Sequence, residues 1–126
     1  MSHNDDLESD WLDSQRSYSG YLITSGLSDE AMKSVSTLAE RMHLFTIHEN
    51  AIEIEYTGRD TSRIVVKSLL QLAQLIRDAE GEVRCEISGD TGQLAFEFYR
   101  IREGRLFRER GRIVRETAHE VTETTL

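Results

Sequence analysis

The residue types able to do chemistry in this chain are four histidines, one cysteine, one Asp-Thr-Gly triplet and a run of arginines. A zinc-type ion needs nitrogen or sulfur donors paired at short, fixed spacings. His3, His43, His48 and His119 show no His-x-x-x-His or Cys-x-x-Cys arrangement, so no metal and no other cofactor is expected. A reactive thiolate needs a base or cation beside it and a cleft around it. Cys85 instead falls on the inward parity of the alternating run EVRCEIS and reads as a small core residue. Asp90-Thr91-Gly92 matches the aspartic-protease triplet, but that chemistry requires a second carboxylate at a pseudo-symmetric position. The chain has no second Asp-Thr-Gly or Asp-Ser-Gly, and Gly89–Gly92 has the composition of a turn. No catalytic residue is assigned. A non-enzymatic protein is expected, with an enzyme assembled from distant residues as the residual alternative.

The arginines remain. Residues 100–115, RIREGRLFRERGRIVR, hold seven arginines and two glutamates in a chain of net charge −8. That stretch therefore carries +5 and the other 110 positions −13. Folding it as a hairpin about Glu103-Gly104 sets Ile101 opposite Leu106, Tyr99 opposite Arg108, Glu97 opposite Arg110 and Ala95 opposite Arg112. The other side of the ribbon carries Leu94, Phe96 and Phe98 and looks the more apolar, so it is expected to meet the helices. Glu109 is the misfit there and suggests a bulge. Arg108, Arg110 and Arg112 would then project together from the exposed face, about 7 Å apart. Tyr99 would lie beside them.

Guanidinium forks suit carboxylates and phosphates, so these four residues are the expected partner-binding site. Another protein is the expected partner, reached by surface complementarity. The alternative is a nucleic acid or phosphate ligand held by the same hairpin. A nucleic-acid binder is normally basic across its whole domain, and this chain has a pI near 5.0. The plainest account pairs Glu97 with Arg110 and Tyr99 with Arg108 as ordinary cross-strand contacts. Trp11, alone in an acidic segment, is a further candidate contact if it does not pack on its own domain.

The elements that must position these residues follow from periodicity. Ser28 caps a helix over LSDEAMKSVSTLAERM, with Ala31, Val35, Leu38, Ala39 and Met42 on its inner face. AIEIEYT alternates as a strand. Ile64-Val65-Val66 is β-branched and reads as a strand, with a second helix beginning at the Ser68–Gln71 capping box and stopping near Gly81. The expectation is an α+β two-layer sandwich: a mostly antiparallel sheet of about six to seven strands, ordered β-α-β-β-β-α-β-β-β, with two helices on one face. Residues 1–18 read as an acidic leader, 19–115 as one domain and 116–126 as an acidic tail.

With 126 residues and 38% hydrophobic composition the chain supports a single core. It lacks any run of about 18 apolar residues and shows no signal-peptide pattern, so no membrane partner is expected. One cysteine excludes an internal disulfide and suits a reducing cytoplasm. The absence of proline excludes PxxP ligands. In general type the chain resembles bacterial and phage accessory proteins, among them immunity proteins that block a toxin by covering it. That likeness implies an inhibitory or immunity-like role, with a homo-oligomer allowed. It transfers no site residue.

Overall fold

The structure is a computed structural model that describes residues 14–60, 62–89, 94–112 and 117–125, the side chain of Arg112 excepted. The chain runs β1 (Gln15–Ile23), α1 (Asp29–Met42), β2 (Phe45–Ile47), β3 (Ala51–Arg59), α2 (Ile64–Ile76), β4 (Val83–Ser88), β5 (Leu94–Arg102) and β6 (Arg105–Arg112). The strands form one six-stranded sheet in the order β2-β3-β1-β4-β5-β6, and every neighbouring pair is antiparallel. The two-layer α+β sandwich is thus present, with both helices packed on the face that carries Leu22, Ile52, Ile54, Val83, Cys85, Ile87, Tyr99 and Ile101.

Helix α1 starts where the sequence asks. The Ser28 hydroxyl accepts from the Ala31 N–H at 3.1 Å, Asp29 and Glu30 stand in the first turn, and Val35 and Leu38 are buried. An acceptor at the N-cap and carboxylates beside it satisfy the free N–H groups and the positive end of the helix dipole.

Helix α2 departs from expectation. Ile64, Val65 and Val66 form its first turn rather than a strand. Each β-branched residue costs a helix only tenths of a kcal/mol, about 0.5 at most relative to its best rivals. Asp60 outweighs that cost: its carboxylate, 1 % exposed, accepts from the Ile64 N–H at 2.9 Å and from the Val65 N–H at 3.4 Å. Val65 is fully buried. Ser68 lies inside the helix, donating back to the Ile64 carbonyl at 2.7 Å. The helix ends at Ile76, before Gly81; the intervening segment returns Glu80 to bridge Ile23 on β1.

A further correction concerns the first strand. Strand β1 begins at Gln15, inside the segment assigned to the leader, and buries Arg16 and Tyr18. Residues 15–18 therefore belong to the sheet, and β1 is a central strand between β3 and β4. Gly20 is what lets it lie so close: at φ +156° a Cβ there would sit 2.3 Å from the Glu82 carbonyl oxygen. The tail residues 117–125 are exposed and carry a turn closed by Thr122 and Thr125.

Asp60→Ala should destabilise the protein by about 2 kcal/mol, since it removes the α2 cap and the acceptor of the Tyr18 hydroxyl. The shift of a urea unfolding midpoint measures this, and Asp60→Ser, which keeps one capping oxygen, should lose less.

Candidate interaction site

The hairpin β5–β6 has the expected register. Tyr99 pairs with Arg108, Glu97 with Arg110 and Ala95 with Arg112, and Ile101 with Leu106. Glu103 and Gly104 turn the chain with φ of 52° and 73°, the pair of positive values that a two-residue turn of the right twist demands. No residue is inserted at Glu109, so the suspected bulge is absent.

The facing of the ribbon is the reverse of the expectation. Ala95, Glu97, Tyr99, Ile101 and Leu106 lie on the helix side: Tyr99 and Ile101 are buried in the core, and Ala95 and Leu106 pack against it. Tyr99, at 2 % exposure, cannot offer its ring to a partner. Arg108 and Arg110 share that parity, yet each keeps 46 % of its side chain in solvent. Arg112 lies opposite Ala95 in register, its side chain outside the described part. Trp11 lies outside the described residues, as do Asp90, Thr91 and Gly92.

Glu97 explains the reversal. It is 5 % exposed, which a lone carboxylate would not tolerate, and it is saturated with donors. Its Oε1 accepts from Arg16 Nη1 at 3.0 Å and from the Tyr99 hydroxyl at 2.7 Å. Its Oε2 accepts from Arg110 Nε at 3.3 Å and faces Arg108 Nη1 at 3.8 Å. Arg16 reaches it from β1 across the intervening β4, a span of two strand spacings or about 9.6 Å. On the way its Nη1 passes 4.0 Å from the Cys85 sulfur. Three guanidinium groups thus meet one carboxylate. Arg16 itself is 2 % exposed, and its buried Nε has no hydrogen-bond partner.

The titration behaviour follows from this packing. Burial alone would raise the Glu97 pKa, but the Tyr99 hydroxyl and the charges of Arg16 and Arg108 outweigh it and hold the group below the ordinary 4.5. Burial likewise opposes the charge on Arg16, and the neighbouring Tyr18 and Glu97 reverse that and raise its pKa. The Tyr99 hydroxyl is pushed up by burial and by its bond to Glu97. Burial pushes the Cys85 thiol to about 11, so it stays protonated at neutral pH and lacks nucleophilic character.

On the opposite face, away from the helices, the hairpin turns its phenylalanines outward, Phe96 and Phe98 partly buried and Phe107 more open. Phe96 and Phe98 stack with ring centroids 6.2 Å apart and planes 18° off parallel. Phe107 is half-exposed at 51 %. An open depression of about 650 Å³ lies between Phe98, Arg100, Glu103, Phe107, Arg108 and Glu109. Arg100 is held at its rim by Glu82, with Nη2–Oε2 at 3.0 Å and Nε–Oε2 at 3.1 Å. At the far end of the same face, Glu53 accepts from the Tyr21 hydroxyl at 3.2 Å and pairs with His48 Nε2 at 2.9 Å. His48, and with it Tyr21, holds Glu53 below its ordinary pKa. His43 ends α1 in a left-handed conformation. Among the described residues, no three His, Cys, Asp or Glu side chains gather as a metal site would require. Nor, among the described residues, is any helix long and apolar enough to cross a membrane.

Sequence reasoning missed Arg16 and the outward phenylalanines. Arg16 carried a readable signal: it shares parity with Tyr18 and Leu22, while Ser17 and Ser19 occupy the other side. An arginine in an apolar row calls for a buried acid. Glu97 is the acid at that parity in β4 and β5. Comparison with protein-family models, with curated proteins and with solved structures gives no match for the chain.

Because folding lowers the Glu97 pKa, the unfolded chain binds that proton more readily than the native one. The stabilisation is therefore complete above about pH 4.5 and is lost as the pH falls through the lower native value. Glu97→Gln should flatten this acid limb of a stability-against-pH curve. Arg16→Met, which strands the buried carboxylate, should cost about 3 kcal/mol at pH 7, and Arg16→Met with Glu97→Leu should recover much of it. Cys85 should resist alkylation in the native protein and react only at the rate of unfolding, as a thiol titration with and without urea will show.

Proposed function

We propose that the protein is a non-enzymatic protein-interaction module acting by surface complementarity, in the manner of an inhibitor or immunity-type accessory protein. The observation that carries this reading is the outward face of β5–β6, where half-exposed Phe107 stands beside the partly buried stacked pair Phe96 and Phe98 and between arginines. Exposed aromatic and arginine side chains around a shallow depression are the composition of energetic anchors at protein interfaces. A stacked aromatic pair held on a rigid strand loses little conformational freedom on binding, which favours affinity. The strongly acidic remainder of the chain supports steering toward a basic partner.

The arginine row is a weaker basis for a nucleic-acid reading. Tyr99, the one stacking ring placed beside it by sequence, is buried, and Arg108 and Arg110 already face Glu97. A single-strand binder relies on open aromatic platforms along a basic groove.

Phe107→Ser should leave the unfolding free energy within about 0.5 kcal/mol of the wild type and abolish co-purification of the protein that wild type retains from a native extract. A salt-dependent gel shift of labelled oligonucleotide, unaffected by Phe107→Ser and lost in Arg108→Gln, would overturn this in favour of nucleic acid. Equal retention by both proteins would remove the aromatic face from the interface.

A further inference from the structure

We propose that the outer edge of β6 takes an extended segment of a partner protein as a seventh strand, and that this segment alternates acidic and apolar residues. The inference rests on the interaction reading above and specifies the partner's chemistry. Strand β6 ends the sheet; among the described residues its eight positions hydrogen-bond to a strand on the β5 side alone. The other edge, β2, has three residues. An unpaired edge strand is a template for strand addition unless something covers it or makes pairing unfavourable.

The register states which groups point outward. Arg102 and Arg105 flank a two-residue turn, so they form a hydrogen-bonded pair, and such pairs recur at every second position. Arg105, Phe107, Glu109 and Gly111 therefore spend their backbone groups on β5. Leu106, Arg108 and Arg110 direct their N–H and C=O groups away from the sheet. The two faces of an added strand would meet different chemistry. On the helix side, Arg108 stands 46 % exposed beside a carboxylate already shared with Arg16 and Arg110. At 3.8 Å from Glu97 Oε2 the Arg108 guanidinium is not tightly engaged there, and its exposed side accommodates a further acid. On the opposite side, half-exposed Phe107 opens onto the depression it shares with Phe98, which accommodates an apolar side chain. Residues two apart on a strand share a face, so the fitting segment reads acid, apolar, acid, apolar.

A second copy of this chain fits poorly. Antiparallel pairing of β6 with itself about a two-fold axis sets residues of one face opposite each other. Arg108 would then meet Leu106, Arg108 or Arg110 of the copy, none of them acidic, and like charges directly opposite destabilise a ladder. The same arginines that reject self-pairing select an acidic strand.

The test uses the full chain and synthetic peptides of about ten residues: an alternating Glu-Val peptide, a Lys-Val peptide, a Glu/Val peptide of the same composition in blocks, and the Glu-Val peptide with alternate N-methylated valines. Fluorescence anisotropy should show binding of the alternating Glu-Val peptide alone, with the Leu106 and Arg108 amides slowed in hydrogen exchange. Arg108→Gln, which removes the charge without placing a second acid near Glu97, should weaken it by roughly tenfold. Equal binding of the block or N-methylated peptide would overturn strand addition, because neither can form the ladder. No peptide binding, while Phe107→Ser still abolishes partner capture, would overturn it and leave the interaction reading standing. Concentration-dependent dimerisation of the free chain, with the Leu106 and Arg108 amides slowed in hydrogen exchange in the dimer, would assign the edge to a second copy instead.

Discussion

Glu97 sits on the helix-facing side of β5 with almost no access to water, and the arrangement of the C-terminal half of the sheet depends on how its charge is met. A buried carboxylate without partners would be driven neutral or driven out. Arg16 from the sheet's centre, the Tyr99 hydroxyl from its own strand and two arginines from β6 hold it charged. The pair Arg16–Glu97 thus ties β1 to β5 over the top of β4, and the hydroxyls of Tyr18 and Tyr99 extend the polar layer through the core toward Asp60. Replacement of such a pair by apolar residues is often neutral in stability, so its contribution lies in specificity: with Glu97 inside, the ribbon has one orientation.

That orientation determines what the surface offers. With Glu97, Tyr99 and Ile101 turned inward, Phe96, Phe98 and Phe107 have no course but outward. Arg108 and Arg110 are left at the margin of the helix layer, about half in water and facing the carboxylate. One inward acid therefore generates both the aromatic face and the charged edge beside it.

Much of the architecture was legible because it rests on local rules. The Ser28 cap, the apolar stripe of α1, the alternation of β3 and β4 and the turn at Glu103-Gly104 all depend on residues close in sequence. The failures share the opposite property. The start of α2 depends on Asp60 reaching forward to capping distance and upward to Tyr18, which outweighs the β-branched preference of Ile64–Val66. The facing of β5–β6 depends on Arg16, 81 positions away from Glu97. Taken alone, Leu94, Phe96 and Phe98 are more apolar than Ala95, Glu97 and Tyr99, and parity arguments choose the wrong side until the remote arginine is counted. The candidate site moved with that choice: Arg108 and Arg110 stayed at the edge, Tyr99 left the surface, and the phenylalanines took its place.

The central position of β1 also shapes how the chain must assemble. This strand precedes all its partners in the chain: its two neighbours end at Arg59 and Ser88, and its guanidinium waits for a carboxylate further on still. Until then its row of Tyr18, Gly20 and Leu22 has no sheet to complete. Domains whose contacts join distant parts of the chain close those loops before any contact rewards them, and they fold slowly for that reason. The sheet around β1 is thereby completed only once β4 and the β5–β6 hairpin are in place to close over it.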